Sequence, residues 1–359
     1  MVDIFDGFYS GKKVLVTGHT GFKGSWLSIW LNELGANVVG VGLDPSSDKD
    51  NYVLSRVDSR IESDLRVDIR DLNALKKVIE EYRPEIVFHL AAQPLVRVSY
   101  EKPVETYQTN VMGTINLMEA IRSTDSVRSA VMVTTDKCYE NREQLTGYKE
   151  DDPLGGYDPY SSSKGACEIA IQSWRRSFFN PADFGVKHHV SLASVRAGNV
   201  IGGGDWAKDR LVPDCIRSLE AGLPIKIRSP KSVRPWEHVL EPLSGYMLLA
   251  RMMYEYPTEY CEGWNFGPEP DSVKTVWDIS SAIINSYGSG ELIDISDVDA
   301  PHEAKLLLLD ITKAKSRLGW RPRLNADQCI ALCVDWYRRY RTDSVYDLCV
   351  EEIEKFIQL

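Results

Sequence analysis

No stretch of this 359-residue chain reaches the roughly 18 consecutive apolar residues that a membrane-spanning helix needs. The first residues, Met1-Val-Asp-Ile-Phe-Asp-Gly7, lack the basic start and apolar core of a secretory leader. Both absences lead to the expectation of a cytoplasmic protein with no membrane span. Positive charge is in short supply: 42 Lys and Arg stand against 52 Asp and Glu, for a net charge of −10. No long basic run relieves that balance, so nucleic acid is not expected as a partner. The 7 cysteines are odd in number and scattered, which excludes a disulfide framework and fits a reducing compartment. Cys329 and Cys333 could share a helix face. No paired Cys or His cluster accompanies them, so they read as buried packing and no metal site is expected. Repeats and low-complexity tracts are also missing. What remains is a chain with 43% hydrophobic residues, enough for a large core, and a length that suits two domains or one large domain with an appendage.

The most informative stretch is Val14-Leu-Val-Thr-Gly-His-Thr-Gly-Phe-Lys-Gly24. Val14 to Val16 has the apolar, β-branched character of a buried parallel strand. Gly18, Gly21 and Gly24 follow at intervals of three, and Ser25-Trp-Leu-Ser-Ile-Trp-Leu31 has the apolar residues of a helix. Strand, glycine turn and helix together form a nucleotide-binding signature, here spaced GxxGxxG. Gly18 would permit the tight turn, Gly21 would let backbone N–H groups approach a pyrophosphate, and Gly24 would allow close helix–strand packing. The helix N-terminus would offer its free donors to the phosphates. Phe22 and Lys23, inside the turn, complete the expected contact set there.

Val38-Val-Gly-Val-Gly-Leu43 reads as the second strand, closed by Asp44. Asp44 lies about 20 residues beyond the last glycine, where a carboxylate accepts from the ribose hydroxyls of NAD. No Arg follows within Pro45-Ser-Ser-Asp48, so NAD is expected over NADP; the other reading is a solvated turn Asp before Pro45. Leu65–Ile69 is a short strand candidate before a helix over Asp71–Tyr82, with Asp68 and Ile69 placed near the adenine. Glu85-Ile-Val-Phe-His-Leu-Ala-Ala92 is a strong buried strand, whose small Ala91-Ala92 end permits close approach to a cofactor, with Gln93 just beyond. A helix over Thr106–Arg122, a strand over Ala130–Thr135, a helix over Tyr160–Phe178 and a strand over Val190–Val195 continue the alternation. Such alternation predicts an α/β fold: a doubly wound parallel (Rossmann) sheet. After Arg196 glycines and prolines break the chain into short pieces. Residues 1–195, with about 241–266 returning, are expected to form the NAD-binding domain, and 196–240 with 267–359 a smaller substrate-binding lobe.

Tyr160-Ser-Ser-Ser-Lys164 places a phenol and an ammonium on one helix face. A free phenol, with a pKa near 10, is a poor base at neutral pH, and a nearby positive charge lowers that value. Lys164 could also hold the nicotinamide ribose. YxxxK alone is a weak pattern; after a glycine-rich turn in a doubly wound chain it becomes specific.

GxxGxxG with YxxxK downstream resembles the extended short-chain dehydrogenase/reductase family. Thr134-Thr-Asp-Lys-Cys-Tyr139 resembles its nucleotide-sugar 4,6-dehydratase branch. Gly18–Trp26, Ala91–Arg97, Gly155–Ser161, Arg196–Trp206 and Arg234-Pro-Trp-Glu-His-Val239 look like the CDP-glucose members of that branch. The likeness runs from about Gly11 to Trp320 and weakens over Pro45–Asp64 and in roughly the last forty residues. It implies that NAD acts as a catalyst: the sugar is oxidised at C4, loses the C5 proton and the 6-hydroxyl, and is reduced at C6. Tyr160 would take the C4 hydroxyl proton, Thr135 would bond the same oxygen, and Asp136 would be the acid for the leaving hydroxyl. In dTDP-glucose relatives a Glu follows this Asp as the C5 base. Lys137 stands here instead, either as that base or as a simple partner of Asp136. Asn199, Arg210 and Arg234 fall in segments that match the family's nucleotide-sugar site, and a planar guanidinium suits phosphate. His238 and His302 are assigned no role; Trp206 and Trp236 read as packing.

The resemblance also implies a homodimer or homotetramer, with the helices Thr106–Arg122 and Tyr160–Phe178 pairing between subunits, and a place in routes to deoxyhexoses of surface polysaccharide. Competing readings are a nucleotide-sugar 4-epimerase, a dehydratase for another nucleotide, or a non-catalytic NAD-binding protein. Asp136-Lys137 argues against the epimerase, which needs no acid–base pair at C5 and C6. Tyr160, Lys164 and Asp136 together argue against a mere binder.

Overall fold

A computed structural model describes residues 3–144, 146–296 and 306–359; His302 lies outside them. In chain order the strands are β1 (Lys13–Thr17), β2 (Asn37–Gly42), β3 (Ser63–Arg66), β4 (Ile86–His89), β5 (Ser129–Val133), β6 (Ser191–Arg196), β7 (Val200–Ile201), β8 (Ile225–Ile227), β9 (Val233–Pro235), β10 (Glu237–His238), β11 (Gly263–Asn265), β12 (Val273–Thr275) and β13 (Leu292–Asp294). Seven of them form one sheet in the order β11-β6-β5-β4-β1-β2-β3, and every neighbouring pair in it is parallel. The doubly wound parallel sheet expected from the alternation of elements is therefore present. The order reverses between β1 and β4, and the crevice at their carboxyl ends is where such sheets bind ligands.

Strand ends follow from pairing. The register sets Thr17 of β1 opposite His89 of β4. Beyond Thr17 the chain turns at Gly18, so once the Leu90 N–H has reached the Thr17 carbonyl at 3.0 Å no further β1 backbone is left to pair, and Ala91 and Ala92 leave the sheet rather than extend it. β3 likewise runs Ser63–Arg66, earlier than the Leu65–Ile69 expected, because it pairs with Val39–Gly42. The helix expected over Thr106–Arg122 starts at Pro103, passes through a wide turn at Gln108–Met112, and continues as Gly113–Arg122.

The helix Phe22–Glu33 is buried along Gly24–Leu31, matching its apolar residues on all sides. One flank faces the sheet. The other is covered by the helix Val345–Ile357: the Trp30 and Phe356 rings meet at 5.8 Å, and Asn32 donates to the Tyr346 hydroxyl at 2.8 Å. One hydrophobic cluster accordingly joins β1, this helix, Leu240–Glu255, Ala326–Arg339 and Val345–Ile357. A second lies on the opposite sheet face, under Leu72–Tyr82 and Gly113–Arg122. β11 enters the sheet beside β6 after the buried helix Leu240–Glu255. The short pairs β7–β10, β8–β13 and β9–β12 lie outside the sheet. All seven cysteines are free and buried, Cys329 and Cys333 within the first cluster. Among the described residues no helix is long and apolar enough to cross a membrane.

Candidate active site

The glycine turn is shaped by close approach. Gly18 has φ +77°, and a Cβ there would fall 2.7 Å from the Ala91 nitrogen. A Cβ on Gly24 would fall 2.0 Å from the Gly18 carbonyl oxygen, so the contact that requires this glycine is with the turn itself. Gly21 differs. Its Cβ would meet only the Gly18 carbonyl oxygen, at 3.3 Å, and otherwise open space. Gly21 also precedes the first helical residue and its side-chain position caps nothing, which leaves the helix N-terminus open to an anion. This is a cradle that a dinucleotide pyrophosphate fits. Phe22 turns away from it, its ring edge beside Gly202 at the end of β7.

At the far end of the crevice Asp44 follows β2 with its carboxylate 89% exposed, and accepts from Arg66 Nε at 3.1 Å. Arg66 comes from β3, so a search of the residues just after Asp44 could not find it. Asp68 is held by Arg70 through both its oxygens. The Ile69 side chain packs beneath Gly113, and its carbonyl accepts from Asn116. Ala91 and Ala92 line the turn, Ala91 donating to Thr17 Oγ1 at 3.3 Å. Gln93 spends its side chain on Leu95 and Thr106, which braces the loop against the next helix.

The acid–base residues converge at the carboxyl end of β5. Asp158 caps the helix Pro159–Ser177 and Pro159 occupies its first position, so Tyr160 is fixed in the first turn and Lys164 one turn further in. Thr135 donates to Asp136 Oδ1 at 2.8 Å and accepts from the Lys137 N–H. The Thr135 side chain also lies beside the Tyr160 hydroxyl. One side chain thus stands between the phenol and the carboxylate. Burial pushes the Tyr160 phenol up and the nearby Asp136 adds to that, while the Arg210 guanidinium pulls it down. The Lys164 ammonium donates to the Val133 carbonyl at 3.3 Å, which leaves it two further N–H donors; burial lowers its pKa. Lys137 is half-buried and does not occupy Asp136, whose Oδ2 has no hydrogen-bond partner.

Arg210 pairs with Asp205 at 2.8 Å and carries its charge toward Tyr160 and Lys23. Asn199, at φ +50°, has a buried amide nitrogen with no hydrogen-bond partner, an unsatisfied donor beside the site. Arg234 sits on β9, in register with Lys274 of β12. Trp206 packs edge-on to Tyr337, Trp236 is buried, and His238 faces Glu352 at 3.4 Å.

One network escapes the sequence reading. Beneath the site Glu168 accepts from Thr134, Ser194 and Arg196, and Arg196 donates to the Tyr139 hydroxyl. This buried network ties the ends of β5 and β6 to the helix that carries Tyr160. Its signal was available: Glu168 falls one turn after Lys164.

His89 adds a pH-dependent element. Its Nδ1 lies 2.7 Å from Thr17 Oγ1 and its Nε2 lies 2.9 Å from Thr114 Oγ1. Thr114 donates to the Asn110 carbonyl, so Nε2 carries the proton and Nδ1 accepts, as in a neutral imidazole. Burial, aided by Lys164, pulls His89 from 6.5 down to about 3. Between those values the unfolded chain binds the proton and the folded one does not, so stability falls as pH drops through that window, by about 1.4 kcal/mol per unit. Thermal melts from neutral pH to pH about 4 should show it. His89→Asn should begin less stable and lose less on acidification; a parallel loss would assign the acid sensitivity elsewhere.

The profile of the family described as GDP-mannose 4,6 dehydratase matches residues 15–333. This chain belongs to that dehydratase family. Within it, the CDP-glucose 4,6-dehydratase of Salmonella typhimurium is 50% identical over 333 residues, 93% of this chain and 92% of that protein. Among solved structures, MoeE5 in complex with UDP-glucose and NAD is 26% identical, with a TM-score of 0.75 over 92% of this chain and 100% of that one. The dTDP-glucose 4,6-dehydratase of Bacillus anthracis in complex with NAD, at 22% identity, shares the fold with a TM-score of 0.74 over 92% of this chain and 97% of that one.

Proposed function

We infer that this member of the dehydratase family is an NAD-dependent CDP-glucose 4,6-dehydratase, converting CDP-D-glucose to CDP-4-dehydro-6-deoxy-D-glucose and water. The observation that carries the reading is the meeting of Tyr160, Thr135 and Asp136 at the carboxyl end of β5, with Thr135 donating to Asp136 and lying beside the phenol. Oxidation at C4 needs a base at the 4-hydroxyl, and water loss needs an acid at the 6-hydroxyl. Here the base comes from the helix Pro159–Ser177 and the acid from the turn after β5. The half-identical Salmonella relative supports CDP as the nucleotide.

Held by the glycine turn, NAD would supply the redox chemistry, as hydride acceptor for C4 and hydride donor for C6. The chain's own residues do the rest. Gly18, Gly21 and Gly24 shape the pyrophosphate cradle, and Asp44 receives the adenosine ribose. Tyr160 takes the 4-hydroxyl proton and Lys164 orients the nicotinamide ribose. Asp136 protonates the departing hydroxyl, and Lys137, half-buried beside it, takes the C5 proton. Arg210 and Asn199 hold the nucleotide sugar, with Arg234 at the rim. Residues 1–195 with 241–266 carry the cofactor; 196–240 and 267–359 carry the sugar nucleotide.

The molecule acts as a homodimer or homotetramer. Val104, Tyr107 and Met112 are exposed and line an apolar groove on the helices before Arg122, and Ile169 is exposed on the Tyr160 helix. A second copy of the same helices would cover them. The enzyme works in the cytoplasm, on a route to deoxyhexoses of surface polysaccharide.

The test is a label. Substrate deuterated at C4 should give product deuterated at C6 of the same molecule, with no crossover in a mixture with unlabelled substrate and no net consumption of NAD. Deuterium in free reduced cofactor, beside a keto sugar that keeps its 6-hydroxyl, would make the protein an ordinary dehydrogenase.

A further inference from the structure

The cation that a 2′-phosphate needs is present in this chain, but on β3 rather than just after Asp44. The register sets Arg66 opposite Gly42, the last residue of β2, and Asp44 leaves the sheet two residues later. Three contacts fix the Arg66 guanidinium. Its Nε donates to Asp44 Oδ1 at 3.1 Å, one terminal nitrogen to Asp64 Oδ1 at 2.6 Å, and the other to the Tyr52 hydroxyl at 2.7 Å. Tyr52 in turn donates to Asp64 Oδ2 at 2.8 Å, and His19 Nε2 also meets Asp64 Oδ1. The cluster adjoins the glycine turn, since a Cβ on Gly42 would fall 2.9 Å from Thr20 Oγ1 and 3.2 Å from His19 Nδ1. It therefore stands at the end of the crevice where the adenosine ribose of a dinucleotide belongs.

The two carboxylates around Arg66 are not equivalent. Asp64 is 20% exposed and meets Arg66, Tyr52 and His19, whereas Asp44 is 89% exposed and meets Arg66. Removing the Asp44 carboxylate leaves the guanidinium held by Asp64 and Tyr52, with its Nε–H aimed at the vacated position and two further N–H donors to spare. We propose that Arg66 is a masked anchor for a 2′-phosphate: the preference for NAD rests on Asp44 occupying this guanidinium, and without that carboxylate the same pocket takes NADP. A planar guanidinium braced on its far side suits a phosphate, because its donors are already oriented. The neighbouring donors are otherwise engaged. Lys49 pairs with Glu220 and Arg70 with Asp68, while the Ser46 and Ser47 N–H groups go to Asp50. Asp44 thus has two effects. It offers the ribose hydroxyls the oxygen that Arg66 leaves free, and it keeps a phosphate dianion away both by its own charge and by covering Arg66. The inference rests on the reading of Asp44 as the ribose acceptor.

Calorimetric titrations of the substrate-free protein with NAD and with NADP test it. Asp44→Ser should weaken NAD by about three- to tenfold and strengthen NADP by about tenfold or more, the range of a charge-assisted hydrogen bond. Lost repulsion alone would give part of that gain, so Arg66 decides the outcome. Asp44→Ser/Arg66→Gln should bind NADP about tenfold or more weaker than Asp44→Ser does, while its NAD affinity stays within about threefold. A double variant that binds NADP as tightly as Asp44→Ser overturns the proposal. So does an equal loss for both cofactors, which would make Arg66 a brace for the ribose pocket. Melts of the cofactor-free protein check the fold. Asp44 is exposed, so Asp44→Ser should melt with the natural protein. Where Arg66→Gln lowers the melt, Asp44→Ser/Arg66→Lys carries the test: it keeps the charge without the planar fork, and should bind NADP about threefold or more weaker than Asp44→Ser. Equal binding there overturns the proposal. The two layers separate cleanly. If Asp44→Ser changes neither affinity, the ribose does not lie at Asp44, and that placement falls together with the proposal. If the preference relaxes with no dependence on Arg66, the placement stands and the proposal alone falls.

Discussion

Tyr160→Phe should bind NAD within severalfold of the natural protein and lose turnover by two to four orders of magnitude, the span usual for a missing general base. The phenol is 7% exposed, and burial holds it in its neutral form. Bringing even a free phenol from near 10 to about 7 requires roughly 4 kcal/mol, at about 1.4 kcal/mol per unit, and burial adds to that cost. The Arg210 guanidinium supplies part of the help. Turnover should therefore climb with pH until the phenol is ionised, and Arg210→Gln should push that rise to higher pH. Equilibrium cofactor titration and steady-state assays measure both. Near-normal turnover in Tyr160→Phe would remove the phenol as base.

Asp136→Asn should oxidise C4 at close to the natural rate and then stall. The amide can still accept from Thr135, so the local geometry survives, but it has no proton to give to the 6-hydroxyl. Reduced-nicotinamide absorbance should build toward one equivalent per site and decay 10²- to 10⁴-fold more slowly than in the natural protein. If the substitution blocks the build-up itself, Asp136 belongs to the oxidation and the division of labour between the two residues is wrong.

The sheet was legible because its strands are short apolar runs separated by helices with clear caps, such as Asp71 and Asp158. Strand ends were not, because partners set them: β4 stops at His89 where β1 ends, although Leu90 to Ala92 are apolar enough to continue. Within the site, residues on one turn of chain were readable. Thr135, Asp136, Tyr160 and the glycines carry local signatures. Relations across the fold left no such trace. Arg66 reaches Asp44 from the next strand, Gln93 is consumed by Thr106, and Lys164 turns to Val133. Glu237 reaches Val200 only through the β7–β10 pairing.

The cover that Val345–Ile357 lays over Phe22–Glu33 bears on the order in which the protein can be made. Translation adds about 5–20 residues per second. The glycine-turn helix thus leaves the ribosome some tens of seconds before the helix that buries Trp30. Throughout that interval the apolar flank around Trp30 lacks its final cover, and the nascent chain is a natural client for holdase chaperones.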